Sequence, residues 1–341
     1  MAEEGRYDQN AYCMKKGLVF GKFMPLHKGH LALIDFSLTH CDQLTVLVCY
    51  TDKEAIDGKI RMQWLKDSYQ ANQKVLVRSF EYDDSILPNT SASSRAISKI
   101  WAESLKKLLP GIDILFTSEP YGEYVADYMN IQHSSFDEKR SIIPVSASMI
   151  RDLPFKYWDL ISPVARPSFV KKICIIGTES TGKSTLTEKL ANHFNTAFVP
   201  EMARDIVEIT DECTYEDLSK IAETHAKAII EKQLIANKLL FIDTDINITC
   251  SYSEFLFNRP LVVENWISEA NRFDLYLFLE PDCEYIQDGT RLSEKERNKL
   301  SDQHKGFFEK KGINFITIGG DWQTRFDQAC KIVNDTFGSL S

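Results

Sequence analysis

The chain lacks most of the features that would tie it to a membrane, an oxidising compartment or a nucleic acid. No apolar run approaches the roughly 18 residues of a spanning helix, and the opening stretch, Met1 to Arg6, is too polar for a secretory signal. A cytoplasmic protein without a membrane partner is expected. The eight cysteines include no C-x-x-C pair and several lie inside apolar runs. Buried reduced thiols are therefore expected in place of disulfides or a zinc site. A basic excess is missing too. Residues 1–167 carry 20 basic against 21 acidic side chains and residues 168–341 carry 20 against 28, giving a net charge of −9. That balance argues against a broad nucleic-acid surface, which needs a basic face to displace counterions. A local phosphate pocket remains compatible with it.

No low-complexity tract or short internal repeat interrupts the 341 residues, and 43% apolar with 26% charged content is that of a globular protein. The length predicts two domains. Residues 1–16 are polar and unpatterned and read as a flexible tail. Strands are expected at 17–20, 44–50, 75–80 and 112–117, with helices near 28–39, 60–70 and 93–109 between them. A Pro-punctuated segment, Pro154 to Pro167, then marks a boundary, separating a domain at 17–167 from one at 168–341. In the second half, strands are expected at 173–176, 239–242, 273–279 and 315–318, and helices at 183–193 and 215–237. The fold class that follows is α/β, with two tandem doubly wound, mostly parallel sheets whose ligands bind beyond the carboxyl ends of the strands.

Gly177, Thr178, Glu179, Ser180, Thr181, Gly182, Lys183 and Ser184 match G-x-x-x-x-G-K-[ST] between the apolar run Ile173–Ile176 and the helix that begins near Thr185. Glycines let the backbone curl so that successive N–H groups face a polyphosphate, and the helix amino end adds to the field. Lys183 is expected to reach the β and γ phosphates of ATP. Ser184 is expected to ligate Mg²⁺.

A second constellation follows the first strand: Gly21, Lys22, Phe23, Met24, Pro25, Leu26, His27, Lys28, Gly29 and His30. His27 and His30, three apart, fall on one side of a first helical turn, where backbone donors already attract anions. Two imidazoles beside a lysine suit the charge that builds on an α-phosphate under attack.

This segment resembles the G-x-F-x-P-x-H-x-G-H signature of the nucleotidyltransferase superfamily. About 115 residues later, Val145, Ser146, Ala147, Ser148, Met149, Ile150 and Arg151 are similar to the superfamily's I-S-S-T-x-I-R triphosphate motif. Such a domain followed by a phosphate-loop kinase looks like the bacterial bifunctional family that pairs nicotinamide-mononucleotide adenylyltransferase with ribosylnicotinamide kinase. Weaker elements in the same order are Thr117 to Tyr121, Pro154 to Trp158, Pro200 to Arg204, Phe241 to Asp245 and Asp288 to Arg291. The resemblance implies a Rossmann-like adenylyltransferase and a kinase that act on nicotinamide riboside, nicotinamide mononucleotide, ATP and NAD. Catalytic roles are then expected for His27, His30, Lys22 and Arg151 in the first half, and for Lys183, Glu201 and Asp245 in the second. Substrate or nucleotide contacts are expected from Gly21, Phe23, Met24, Gly29, Arg61, Ser118, Glu119, Tyr121, Ser146, Ser148, the phosphate loop with Thr185, Arg204 and Arg291. Asp243 joins Ser184 as a metal ligand.

Glu201 is also a candidate base, because transfer to a sugar hydroxyl, unlike transfer to a phosphate, benefits from a group that positions or takes the hydroxyl proton. Arg291 and Arg297 read as a lid over the γ-phosphate or as part of an exposed helix. The chain departs from the family at 88–95, where a paired-tryptophan segment is expected. Trp101, Tyr121 or Tyr124 must then hold the nicotinamide ring. Some members carry an amino-terminal helix-turn-helix repressor. Here the first strand begins by residue 17, so no direct DNA contact is expected. Two other readings stay open: transfer to another phosphate acceptor such as phosphopantetheine beside an unrelated kinase, and a non-catalytic NAD- and ATP-sensing regulator. A homo-oligomer is compatible with all three.

Overall fold

Apolar runs form the strands, and polar side chains that satisfy free N–H groups start most of the helices. A computed structural model describes residues 14–88, 94–203, 206, 213–283, 285 and 293–338. The chain divides into two units, Met1–Ala165 and Arg166–Ser341.

The first unit runs β1 (Lys16–Gly21), α1 (Lys28–Leu38), β2 (Gln43–Tyr50), α2 (Gly58–Tyr69), β3 (Val75–Glu81), α3 (Arg95–Leu108), β4 (Ile114–Thr117), α4 (Tyr121–Met129), β5 (Gln132–Ser135) and α5 (Ala147–Asp152). Its sheet is parallel in the order β3-β2-β1-β4-β5. The six central residues of β2 are all buried, as a strand covered on both faces requires. Consecutive strands run outward from β1 on one side and resume at β4 on the other, so the order reverses between β1 and β4. A doubly wound sheet opens its crevice at that point, beyond Gly21 and Thr117.

The second unit runs β6 (Lys171–Ile176), α6 (Lys183–His193), β7 (Phe198–Val199), α7 (Tyr215–Ile235), β8 (Leu239–Asp243), α8 (Ile246–Phe257), α9 (Asn265–Ala270), β9 (Leu275–Leu279), α10 (Glu294–Lys310), β10 (Ile316–Ile318) and α11 (Trp322–Phe337). Its parallel sheet has the order β10-β9-β6-β8-β7. Every residue of β8 and β9 is buried. Reciprocal capping boxes start α7 (Thr214 with Asp217) and α10 (Ser293 with Glu296), each satisfying two free donors. The central β6 delivers the chain into the phosphate loop. Among the described residues, no helix is long and apolar enough to cross a membrane. Both units are α/β with parallel sheets, as the alternation predicts.

Candidate active sites

In the first unit, His27 caps α1 by accepting the Gly29 N–H on Nδ1 at 3.1 Å. His30, one turn on, stacks its ring on that of His27 with centroids 3.8 Å apart, and meets the buried Phe23 ring edge-on at 5.0 Å. Burial, reinforced by the Arg140 charge, pulls the His27 pKa down to about 4. Burial and then the His27 charge hold His30 well below the usual histidine value. Both rings are therefore neutral at pH 7, and His30 Nδ1 has no partner among the described residues. A neutral ring can donate from one nitrogen without paying to carry a buried charge.

These rings face a cavity of ≈ 230 Å³ at the switch point, bordered also by Gly21, Lys22, Ser118, Glu119, Ser146 and Arg140. Ser146 caps α5 by accepting from the Met149 N–H and shares a 2.9 Å hydrogen bond with Ser148. Arg151 donates to the Met24 carbonyl at 2.6 Å, which ties α5 to the histidine loop. Arg140, paired with Glu119 at 2.7 Å, is a cation that the sequence reading passed over. No motif marks it. Glu54 was missed as well: it pairs with Lys22 at 2.5 Å and with Arg61.

Arg61, expected at the nucleotide, is completely buried beneath the site: it pairs with Glu54 and donates to the Lys22 carbonyl at 2.8 Å, bracing the loop after β1. A second cavity, ≈ 130 Å³, adjoins the first through Phe20, Gly21, Lys22 and Tyr121 and is walled by Tyr82 and Trp101. Trp101 stacks on Phe20 at 6.0 Å and Tyr121 meets the same ring edge-on. Tyr124 does not border it and is covered instead by the Arg95 guanidinium.

In the second unit, the phosphate loop is held in a shape that only glycine adopts easily. Gly177 and Gly182 have φ of 148° and 86°. A Cβ on Gly177 would lie 2.9 Å from the Leu279 carbonyl oxygen, and one on Gly182 would lie 2.2 Å from the Trp322 indole. Lys183 is buried and donates to the Thr178 carbonyl at 3.1 Å, and Thr181 donates to the same carbonyl at 2.7 Å. Ser180 sits at φ 57°. Thr185 lies in the first turn of α6. Arg325, a buried residue of α11 that no sequence signal indicated, donates to the Thr181 carbonyl at 2.6 Å and pairs with Asp282.

Ser184 donates to Asp243 at 2.6 Å, bringing the two expected metal ligands together at the ends of α6 and β8. Burial, helped by the Glu201 charge, raises the Asp243 carboxyl to about 6. The same Glu201 charge acts on His225 of α7 and on Tyr252 of α8, so Glu201, just past β7, faces this acid cluster. Tyr252 reaches Glu179 at 3.5 Å.

Asp245, two residues after Asp243, has other partners. Its carboxylate accepts from the Ile248 N–H at 3.0 Å, the Asn247 amide at 2.6 Å and the Tyr276 hydroxyl at 3.1 Å. It is the buried N-cap of α8. Arg297, expected in a lid or an exposed helix, is buried on α10 and donates to the Pro281 carbonyl at 3.1 Å. Arg204 and Arg291 lie outside the described residues.

Residues 172–325 match the family model described as an AAA domain. The chain is 30% identical to the "Trifunctional NAD biosynthesis/regulator protein NadR" of Escherichia coli K12, across 94% of this chain and 83% of that protein. It is also 27% identical over 109 residues to a "Nicotinamide-nucleotide adenylyltransferase" of Methanocorpusculum labreanum, covering 31% of this chain and 60% of that one. A crystal structure of "NadR protein in complex with NAD and AMP-PNP" superposes with a TM-score of 0.78 at 23% identity, covering 96% of this chain and 97% of the other, and so shares the fold. With that identity along nearly its whole length, the chain belongs to the NadR family of NAD biosynthesis proteins.

Proposed function

We propose that the chain is a bifunctional NAD salvage enzyme. Its second unit phosphorylates nicotinamide riboside with ATP, and its first unit joins the resulting nicotinamide mononucleotide to AMP from a second ATP, releasing pyrophosphate. The observation that carries this reading is the presence, in one family member, of both cradles with their reactive side chains: the stacked His27 and His30 at one sheet's switch point, and the Lys183, Ser184 and Asp243 group at the other's.

In adenylyl transfer the acceptor phosphate is already anionic and attacks the α-phosphorus of ATP. His27, His30 and Lys22 would donate to the phosphate oxygens as charge builds, and Arg151 with the Ser146 cap would take the departing pyrophosphate. Phe20, Trp101 and Tyr121 enclose an aromatic cavity suited to a planar pyridine ring. In phosphoryl transfer the riboside hydroxyl attacks the γ-phosphorus, Glu201 takes its proton, the bond to the bridging oxygen breaks to release ADP, and Lys183 screens the phosphates.

The donor set fits Mg²⁺, which prefers hard oxygens, keeps several waters and leans on substrate phosphates. Ser184 and Asp243 would hold it, and it would supply charge neutralisation for the ATP phosphates.

The test is direct. Purified protein with ATP, Mg²⁺ and nicotinamide riboside yields mononucleotide and then NAD by chromatography. Failure to make mononucleotide from riboside removes the kinase assignment, and failure to make NAD from mononucleotide removes the other.

A further inference from the structure

One face of α10 carries buried polar groups without partners among the described residues. Arg297, Ser301 and His304 fall four and then three residues apart, so they share one stripe of the helix. All three are at most 2% exposed. Yet Arg297 Nη1, Ser301 Oγ and His304 Nε2 have no hydrogen-bond partner among the described residues. Leaving one such group unmet costs about 1–3 kcal/mol, so three in a row on one stripe call for a ligand or water.

We propose that this row is the kinase unit's recognition surface for the hydroxyl-bearing sugar of its phosphoryl acceptor. The proposal rests on the riboside kinase reading and adds where that sugar is gripped. Placement supports it first. The His304 ring lies 5.1 Å from that of Tyr252, whose hydroxyl reaches Glu179 of the phosphate loop, and the Lys183 ammonium's field acts on His304. Thr178 Oγ1, also buried and without a partner among the described residues, belongs to that loop.

Chemistry supports it second. His304 Nδ1 shares a 2.8 Å hydrogen bond with Ser251, and that bond can run in either direction. Nε2 is then either a donor or an acceptor. A sugar hydroxyl satisfies both forms and also pairs with the Ser301 hydroxyl, whereas a phosphate oxygen pairs only with the donor form. Arg297 Nη1 adds a fixed donor one turn earlier. Polyol recognition by such groups is selective, because a substrate that lacks the hydroxyl leaves them unpaired again.

The experiment is steady-state kinetics of the full chain with nicotinamide riboside and with its 2′-deoxy and 3′-deoxy analogues. Ser301→Ala and His304→Phe are each expected to raise the riboside KM about 3- to 15-fold, with the KM for ATP unchanged and the preference for riboside over one deoxy analogue lost. His304→Gln, which keeps a polar atom near Nε2, is expected to recover most of the affinity. A riboside KM within twofold of wild type in both variants, with discrimination intact, overturns the proposal and leaves the row to water. A rise in the ATP KM alone overturns it equally, placing the row on the donor side. Should His304→Phe fail to fold by calorimetry, Ser301→Ala, which removes one oxygen, decides. A wild-type protein inactive on riboside sinks the kinase reading and this proposal together.

Discussion

Gly182→Ala isolates the geometry of the phosphate loop. At φ 86° an alanine costs about 1–2 kcal/mol of backbone strain. Its methyl group would also lie 2.2 Å from the Trp322 indole, which is half-exposed and must be pushed aside. Forced repacking of that kind costs about 1–3 kcal/mol. The total of about 2–5 kcal/mol corresponds to a fall of roughly 4–20 °C in the kinase unit's melting transition, with adenylyl transfer preserved below it. Placing the same change in a Trp322→Ala background removes the clash and keeps the strain. Calorimetry of the four proteins should then show the penalty shrinking by about 1–3 kcal/mol. An unchanged penalty in the Trp322→Ala background would refute the claim that the indole enforces this glycine.

Other outcomes follow from the buried charges. Arg61→Ala strips the buried partner from Glu54, leaving only Lys22, and should lower stability by about 3 kcal/mol in urea unfolding; a loss below about 0.5 kcal/mol would contradict its bracing role. Asp245→Asn keeps the helix cap and should leave kinase turnover within a fewfold of wild type, whereas a folded Asn variant that loses turnover a thousandfold would restore a catalytic Asp245. Asp243 has its folded pKa raised to about 6 from an ordinary carboxylate value, so the folded state holds the extra proton between about pH 4 and 6. Its contribution to stability is therefore present below that window and is lost as pH rises through it. Asp243→Asn should melt higher than wild type at pH 7, with the gap closing toward pH 4; a gap independent of pH would contradict this.

The apolar runs made the central strands legible, because a strand covered on both faces must be apolar throughout. The polar β5, reading Gln132, His133, Ser134 and Ser135, and the two-residue β7 carry no such signal. Helix α8 was hidden for a different reason: buried on nearly every side, it has no polar face and so no periodicity. Within the sites, loops whose function depends on backbone shape were readable because glycine spacing encodes that shape. Roles of single charged residues were less so. Asp243 and Asp245 look alike in the sequence, yet one faces Ser184 and the other caps a helix. An Asp ahead of an apolar helical run was a capping signal, and Asp245 obeys it. Arg61, Arg140 and Arg325 are sorted into brace, pocket cation and loop clamp only by partners distant in the chain, which no local pattern records.

The central claim is that two separable reactions reside in one chain, and product analysis of two variants tests it most directly. With nicotinamide riboside and ATP, Lys183→Ala should make no mononucleotide, yet should still convert supplied mononucleotide to NAD at nearly the wild-type rate. His30→Ala should accumulate mononucleotide from riboside, with NAD formation reduced by about a hundredfold or more. If either substitution alone abolishes both conversions in a protein that remains folded, the two-site account is contradicted.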